Sequence, residues 1–135
     1  MRYILSIIAT LVIIYIVPFI LYAAATVVWD LKPPDDAPAW QFLLGVLVSK
    51  TGTAIAFVAI YHFAKGGLDR KWLLYASIWW VSFAIGELGQ AIGPNYTWKE
   101  AVIGIVSEAI YFPLAAIVTD RLTGARVCSC EAVQK

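Results

Sequence analysis

Residues 3–29, YILSIIATLVIIYIVPFILYAAATVVW, contain no charged side chain. The run starts after Arg2 and stops at Trp29-Asp30. A bilayer core about 30 Å thick needs about 20 apolar residues at 1.5 Å per residue, so this stretch is long enough to cross. A secretory signal has an apolar core of only about 7–15 residues. The Ala23-Ala24-Ala25 run resembles a cleavage site, but the length reads as a retained first helix. Pro18 lies inside it and takes a hydrogen bond away from the Ile14 carbonyl, which bends a helix. Neighbouring helices in a bilayer can satisfy the freed group.

Three more apolar runs follow. The second spans about 40–64, the third about 71–92 and the fourth about 98–119. Residues 30–39, Asp-Leu-Lys-Pro-Pro-Asp-Asp-Ala-Pro-Ala, form a turn-rich link. Gly66-Gly67 is expected to end the second helix, and Asp69 to cap the third. Gly93-Pro94-Asn95-Tyr96 reads as a tight turn. Thr97-Trp98-Lys99-Glu100 has the form of a capping box, with Thr97 at the N-cap and Glu100 three residues on. The whole is read as an all-α membrane protein, an antiparallel bundle of four transmembrane helices over residues 1–120, with a short cytoplasmic tail, 121–135.

Composition agrees. The 135 residues are 61% hydrophobic and 14% charged, against about 25% charged in a soluble domain. Net charge is +1, which gives no field for nucleic acid. Trp29, Trp40, Trp72 and Trp98 fall near predicted segment ends, as in an aromatic belt, whereas Trp79 and Trp80 lie deeper. With both termini inside, Arg2, Lys65, Arg70, Lys71, Arg121, Arg126 and Lys135 are cytoplasmic, and only Lys32 and Lys99 are outside. That bias sets the expected orientation in a cell membrane. Cys128 and Cys130 lie in the polar tail and are read as reduced thiols. The single histidine, His62, sits at the inner end of the second run and is read as an interfacial anchor, not a ligand.

The informative residues are the charges inside the apolar runs: Lys50, Glu87 and Glu108. Each costs roughly 2.5–3.5 kcal/mol to insert at a helix centre, so each needs a partner or a task. Trp40 precedes Lys50 by ten residues, and Trp98 precedes Glu108 by ten. Both charges therefore lie about 15 Å below the outer interface, near the midplane. Opposite charge at equal depth suggests a neutralising pair. Glu87, about 7–8 Å deep, has no cation at its own depth and is the residue expected to exchange a proton. Ser49 and Thr53 flank Lys50, Gln90 lies one turn after Glu87, and Tyr111 follows Glu108 by three residues. These seven form the expected binding or proton-linked site. Pro113 leaves the Ala109 carbonyl bare beside Glu108. Gly86, Gly89, Gly93 and Gly104 permit close helix approach.

The sequence carries no Gly-rich phosphate loop, no H-E-x-x-H and no G-x-S-x-G, and no metal, cofactor or catalytic residue is expected. The leading expectation is transport or permeation of a small solute or ion through the polar centre. The expected partners are membrane lipid and a second copy of the chain. A non-catalytic accessory subunit is the alternative, with a partner membrane subunit, and a lipid-modifying membrane enzyme the third reading.

Overall fold

The computed structural model describes residues 1–29, 38–68, 71–94 and 96–124, without the side chains of residues 39, 65, 66 and 124. The described residues are helical: α1 (Arg2–Trp29), α2 (Ala39–Phe63), a single turn α3 (Lys65–Leu68), α4 (Trp72–Ala91) and α5 (Trp98–Gly124). The expected loop around 30–37, the Asp69 cap, Asn95 and the tail with Cys128 and Cys130 lie outside the described residues.

Three helices, Arg2–Trp29, Trp40–Phe63 and Trp98–Thr123, are long and apolar enough to cross a membrane. The expectation of four is met only in part. With 20 residues α4 has the length, about 30 Å, but it is not among the three. Its apolarity falls short because Glu87, Gln90, Ser77 and Ser82 interrupt the run. Two boundary expectations also change. The second helix ends at Phe63 with Ala64 as C-cap, whose N–H bonds the Ile60 carbonyl. Gly67 then donates back to the Ala64 carbonyl, 3.0 Å, so this glycine builds the connecting turn rather than stopping the helix. At the start of α4 the N-cap position is Lys71, with no side-chain cap.

The capping box at α5 is present as read. The Thr97 N–H donates to Glu100 Oε2 at 2.7 Å, and the Glu100 N–H donates to Thr97 Oγ1 at 3.3 Å. Reciprocal bonds of this kind satisfy otherwise orphaned donors of the first turn.

Helix α5 is the centre of the bundle and packs closely on α1 and α4. Small side chains allow this: Ala101, Ala115 and Ala116 are fully buried. Side-chain pairings give the sense of the chain. Thr10 near the start of α1 meets Thr119 near the end of α5, while Tyr22 reaches Glu100 at the other end. Tyr3 meets His62, and Tyr61 meets Tyr75, so α2 runs opposite to both α1 and α4.

Helices α2 and α4 are held apart by rings. Phe57 packs on Tyr75 at 4.7 Å, Trp79 at 5.4 Å and Phe112 at 5.8 Å between centroids. Aromatic pairs at such spacing add about 0.5–1.5 kcal/mol each beyond simple burial. The Tyr75 hydroxyl also donates to the Phe57 carbonyl. This layer seals one half of the α2–α4 contact. In the other half, residues 40–45, 47–49, 85, 86 and 88–90 are exposed, so the two helices diverge above the ring layer. The exposed surface is otherwise a coat of large apolar side chains, among them Leu5, Ile8, Val12, Phe19 and Ile20 on α1. A water-soluble chain does not present such a surface.

Candidate functional site

The divergent half contains the charges. Helix α5 offers Gly104, Ser107, Glu108 and Tyr111, which fall on one side at i, i+3, i+4 and i+7. Glu108 is 2% exposed, and its Oε2 has no hydrogen-bond partner. Ser107 is spent on its own helix, donating to the Gly104 carbonyl at 2.8 Å. Tyr111 is fully buried.

Lys50 reaches this face from α2. Its Nζ donates to the Tyr111 hydroxyl at 3.4 Å. The ammonium also lies 5.2 Å from the Tyr111 ring centroid and 5.8 Å from that of Phe83. Both distances are within reach of a cation–π interaction. Through Tyr111, three residues after Glu108, Lys50 thus meets the Glu108 face of α5. Yet no direct ion pair joins them among the described residues; Tyr111 holds the ammonium instead. The expected neutralising contact is replaced by an ammonium on an aromatic wall.

Glu87 enters from α4. Its carboxyl group occupies the space that a side chain at position 104 would fill. A Cβ on Gly104 would come within 2.6 Å of Glu87 Cδ and 2.7 Å of Oε2. Gly104 is thus a seat, and the seat places the Glu87 carboxyl one helical turn from Glu108 on α5. Tyr96, from the turn before α5, donates to Glu87 Oε2. Tyr22 of α1 shares a hydroxyl–hydroxyl contact of 3.1 Å with Tyr96 and lies 3.3 Å from the Glu100 carbonyl. Burial first, then the neighbouring Glu87, hold the Tyr96 hydroxyl well above the usual tyrosine range, so it stays a donor. Trp80 anchors the α4–α5 pair by donating from Nε1 to the Ile105 carbonyl at 3.1 Å.

Of the seven residues expected from sequence, Lys50, Glu87, Glu108 and Tyr111 converge. Ser49, Thr53 and Gln90 do not join them. Thr53 donates to the Ser49 carbonyl at 3.1 Å, one turn back on its own helix, and Ser49 and Gln90 are exposed. Helical hydroxyls commonly bond the i−4 carbonyl in this way. Sequence reasoning missed Tyr22 and Tyr96. A tyrosine in an apolar run, as Tyr22 is, or in a turn, as Tyr96 is, gives no sign in sequence of what its hydroxyl meets. It also missed a second polar cluster on the far side of the ring layer. There Thr10 Oγ1 lies 3.2 Å from Thr119 Oγ1, and the Tyr61 hydroxyl donates to Asp120 Oδ1 at 2.6 Å. Ser6 Oγ is buried with no partner.

A shallow, almost wholly apolar groove lies between α1 and α5, lined by Leu21, Ala25, Val102 and Val106 among others. Among the described residues, no three His, Cys, Asp or Glu side chains come together to hold a metal ion.

Among the described residues, what the fold and site define is a helical bundle, with three helices long and apolar enough to cross a membrane, around a buried carboxylate. Comparison with protein-family models, with characterised proteins and with solved structures finds no match for this chain.

Proposed function

We propose that this chain is a four-span membrane bundle that passes a small solute or ion through its polar centre, with proton exchange at Glu87 and Glu108. One observation carries the reading: Glu108 is almost wholly buried with an oxygen that nothing satisfies. A carboxylate kept only to fix helix register would be paired, because an unpaired buried charge costs several kcal/mol. An intramembrane ionisable group without a fixed partner is suited to bind or release one.

The fourth span rests on the outer face of α4. Leu74, Ile78, Val81, Ile85, Leu88 and Ile92 are exposed and spaced three or four apart along the full helix. They make a continuous apolar stripe for lipid, while Glu87 and Trp80 turn inward. With α4 spanning, the bundle is antiparallel, and the bias of basic residues supports an orientation with both termini in the cytoplasm. The divergent half of the bundle then opens outward. In tryptophan fluorescence, which Trp80 reports, the parent should respond to pH. Glu87→Gln should fold and insert yet lose that response. A variant that keeps the parent's response would defeat the proposal at this site.

A second reading, an accessory subunit that docks on a partner, draws on the open flank. Cβ atoms placed on Gly45, Gly52, Gly86 and Gly89 would have nothing within 4 Å, and such bare helix faces accept another helix closely. A second copy of this chain would fit the transport reading equally. Purification in a mild detergent separates the two: a homo-oligomer supports transport, and a different co-purifying membrane protein supports the accessory role.

A further inference from the structure

We infer that the polar centre is a seat for a monovalent organic ammonium, which takes the place of a proton on the Glu87–Glu108 pair. The inference builds on the proton-linked reading and adds the class of solute.

The sign follows from the charge balance. Two carboxyl groups face one ammonium, so with both ionised the site lacks one positive charge. An anion would meet two carboxylates across a low-dielectric gap and be repelled. A multivalent metal ion would need more ligands than two carboxylates supply, and no third His, Cys, Asp or Glu joins them among the described residues. Protons and monovalent cations remain.

The walls choose among those. Lys50 shows what they accept. Its alkylammonium already rests against the Tyr111 and Phe83 rings, with the Tyr111 hydroxyl as acceptor. Ring faces of this kind favour weakly hydrated organic cations. Glu108 Oε2 is a fully buried acceptor with no partner. Gly104 lets the Glu87 carboxyl sit against α5 one helical turn from Glu108, and the arriving ammonium takes both carboxyl groups as its partners. Ser49, Gly86 and Gln90 are exposed on the divergent flank, which gives the solute a lateral entrance.

The exchange conserves charge. The carboxyl O–H breaks, its proton leaves to water, and the carboxylate pairs with the arriving ammonium. No other bond changes. Among the described residues, the titratable groups around the pair are Lys50 from α2, Tyr22 from α1, Tyr96 from the turn and Tyr111 from α5.

The test is proton release from the purified full chain in weakly buffered detergent, on addition of phenethylammonium or tetramethylammonium, with sodium and benzoate as controls. Both ammonium ions should release protons saturably, approaching one per protomer, and neither control should. Glu108→Gln should abolish the release. Phe83→Leu leaves both carboxyl groups in place and guards against misfolding of the first variant; it should weaken phenethylammonium binding roughly fivefold. Absence of release with either ammonium overturns the inference, as does equal release by sodium or benzoate, or release that persists in Glu108→Gln. If ammonium binding fails while Glu87→Gln still removes the pH response, the solute assignment falls and the proton-linked reading stands.

Discussion

Gly104→Ala tests the geometry of the site with one methyl group. Its Cβ would sit 2.6 Å from Glu87 Cδ, 2.7 Å from Oε2 and 3.0 Å from Oε1. All three are far inside van der Waals contact, so the carboxyl must leave its seat, and it leaves the Tyr96 hydroxyl with it. Loss of a hydrogen bond to a charged group costs about 1.5–3 kcal/mol. Replacing a mid-helix glycine by alanine returns up to about 1 kcal/mol. The flexible Glu87 side chain can swing toward the exposed flank, so the net loss should be about 0.5–2 kcal/mol. A double-mutant cycle isolates the contact. In a Glu87→Ala background the same Gly104→Ala change meets no carboxyl and should be neutral or stabilising by up to about 1 kcal/mol. The coupling read from denaturant unfolding in micelles should therefore be about 1.5–3 kcal/mol. Additive effects within about 0.5 kcal/mol would show that Glu87 does not sit on Gly104, and the two-carboxyl geometry would fall with it.

Lys50→Met takes the ammonium off the Tyr111 and Phe83 rings and should cost about 0.5–2 kcal/mol; thermal unfolding of the variant checks this, and an unchanged midpoint would refute the contact. Tyr96→Phe removes the donor to Glu87. The Tyr96 hydroxyl ionises above its unfolded value of about 10. Its contribution is complete below that pH and is lost as pH rises toward the folded value. The parent should therefore lose stability above about pH 10 more steeply than Tyr96→Phe, and parallel curves would refute the bond. Phe57→Ala removes the hub of the ring layer and should cost about 3 kcal/mol, measured by unfolding in micelles; a change under about 1 kcal/mol would mean the layer does not seal the bundle. Impermeant thiol reagents should fail to label Cys128 and Cys130 in intact cells, and ready labelling would reverse the orientation.

Helix positions were readable because uncharged runs and turn residues are unambiguous at this composition. The Thr97–Glu100 box was legible for the same reason: its two bonds are local. The convergence of Lys50, Glu108 and Tyr111 followed from depth alone, since equal distance from Trp40 and Trp98 fixes level. Contacts were not legible. Depth does not say which way a side chain turns, so Lys50 was expected on Glu108 and instead meets Tyr111. Hydroxyls near Lys50 were expected to join it, but their own helix carbonyls are closer partners. Gly104 was read as a packing residue, whereas it makes space for a carboxyl from the neighbouring helix. Tyr22 and Tyr96 needed the fold, because their meeting joins residues far apart in sequence.

Proton flux through reconstituted protein tests the central claim most directly. The full chain is placed in liposomes carrying an internal pH indicator, and a pH gradient is imposed across the bilayer. The account predicts that the parent dissipates the gradient faster than empty liposomes, and that Glu108→Gln, inserted to the same level, does not. Equal rates for parent and Glu108→Gln, or a parent no faster than empty liposomes, would contradict it.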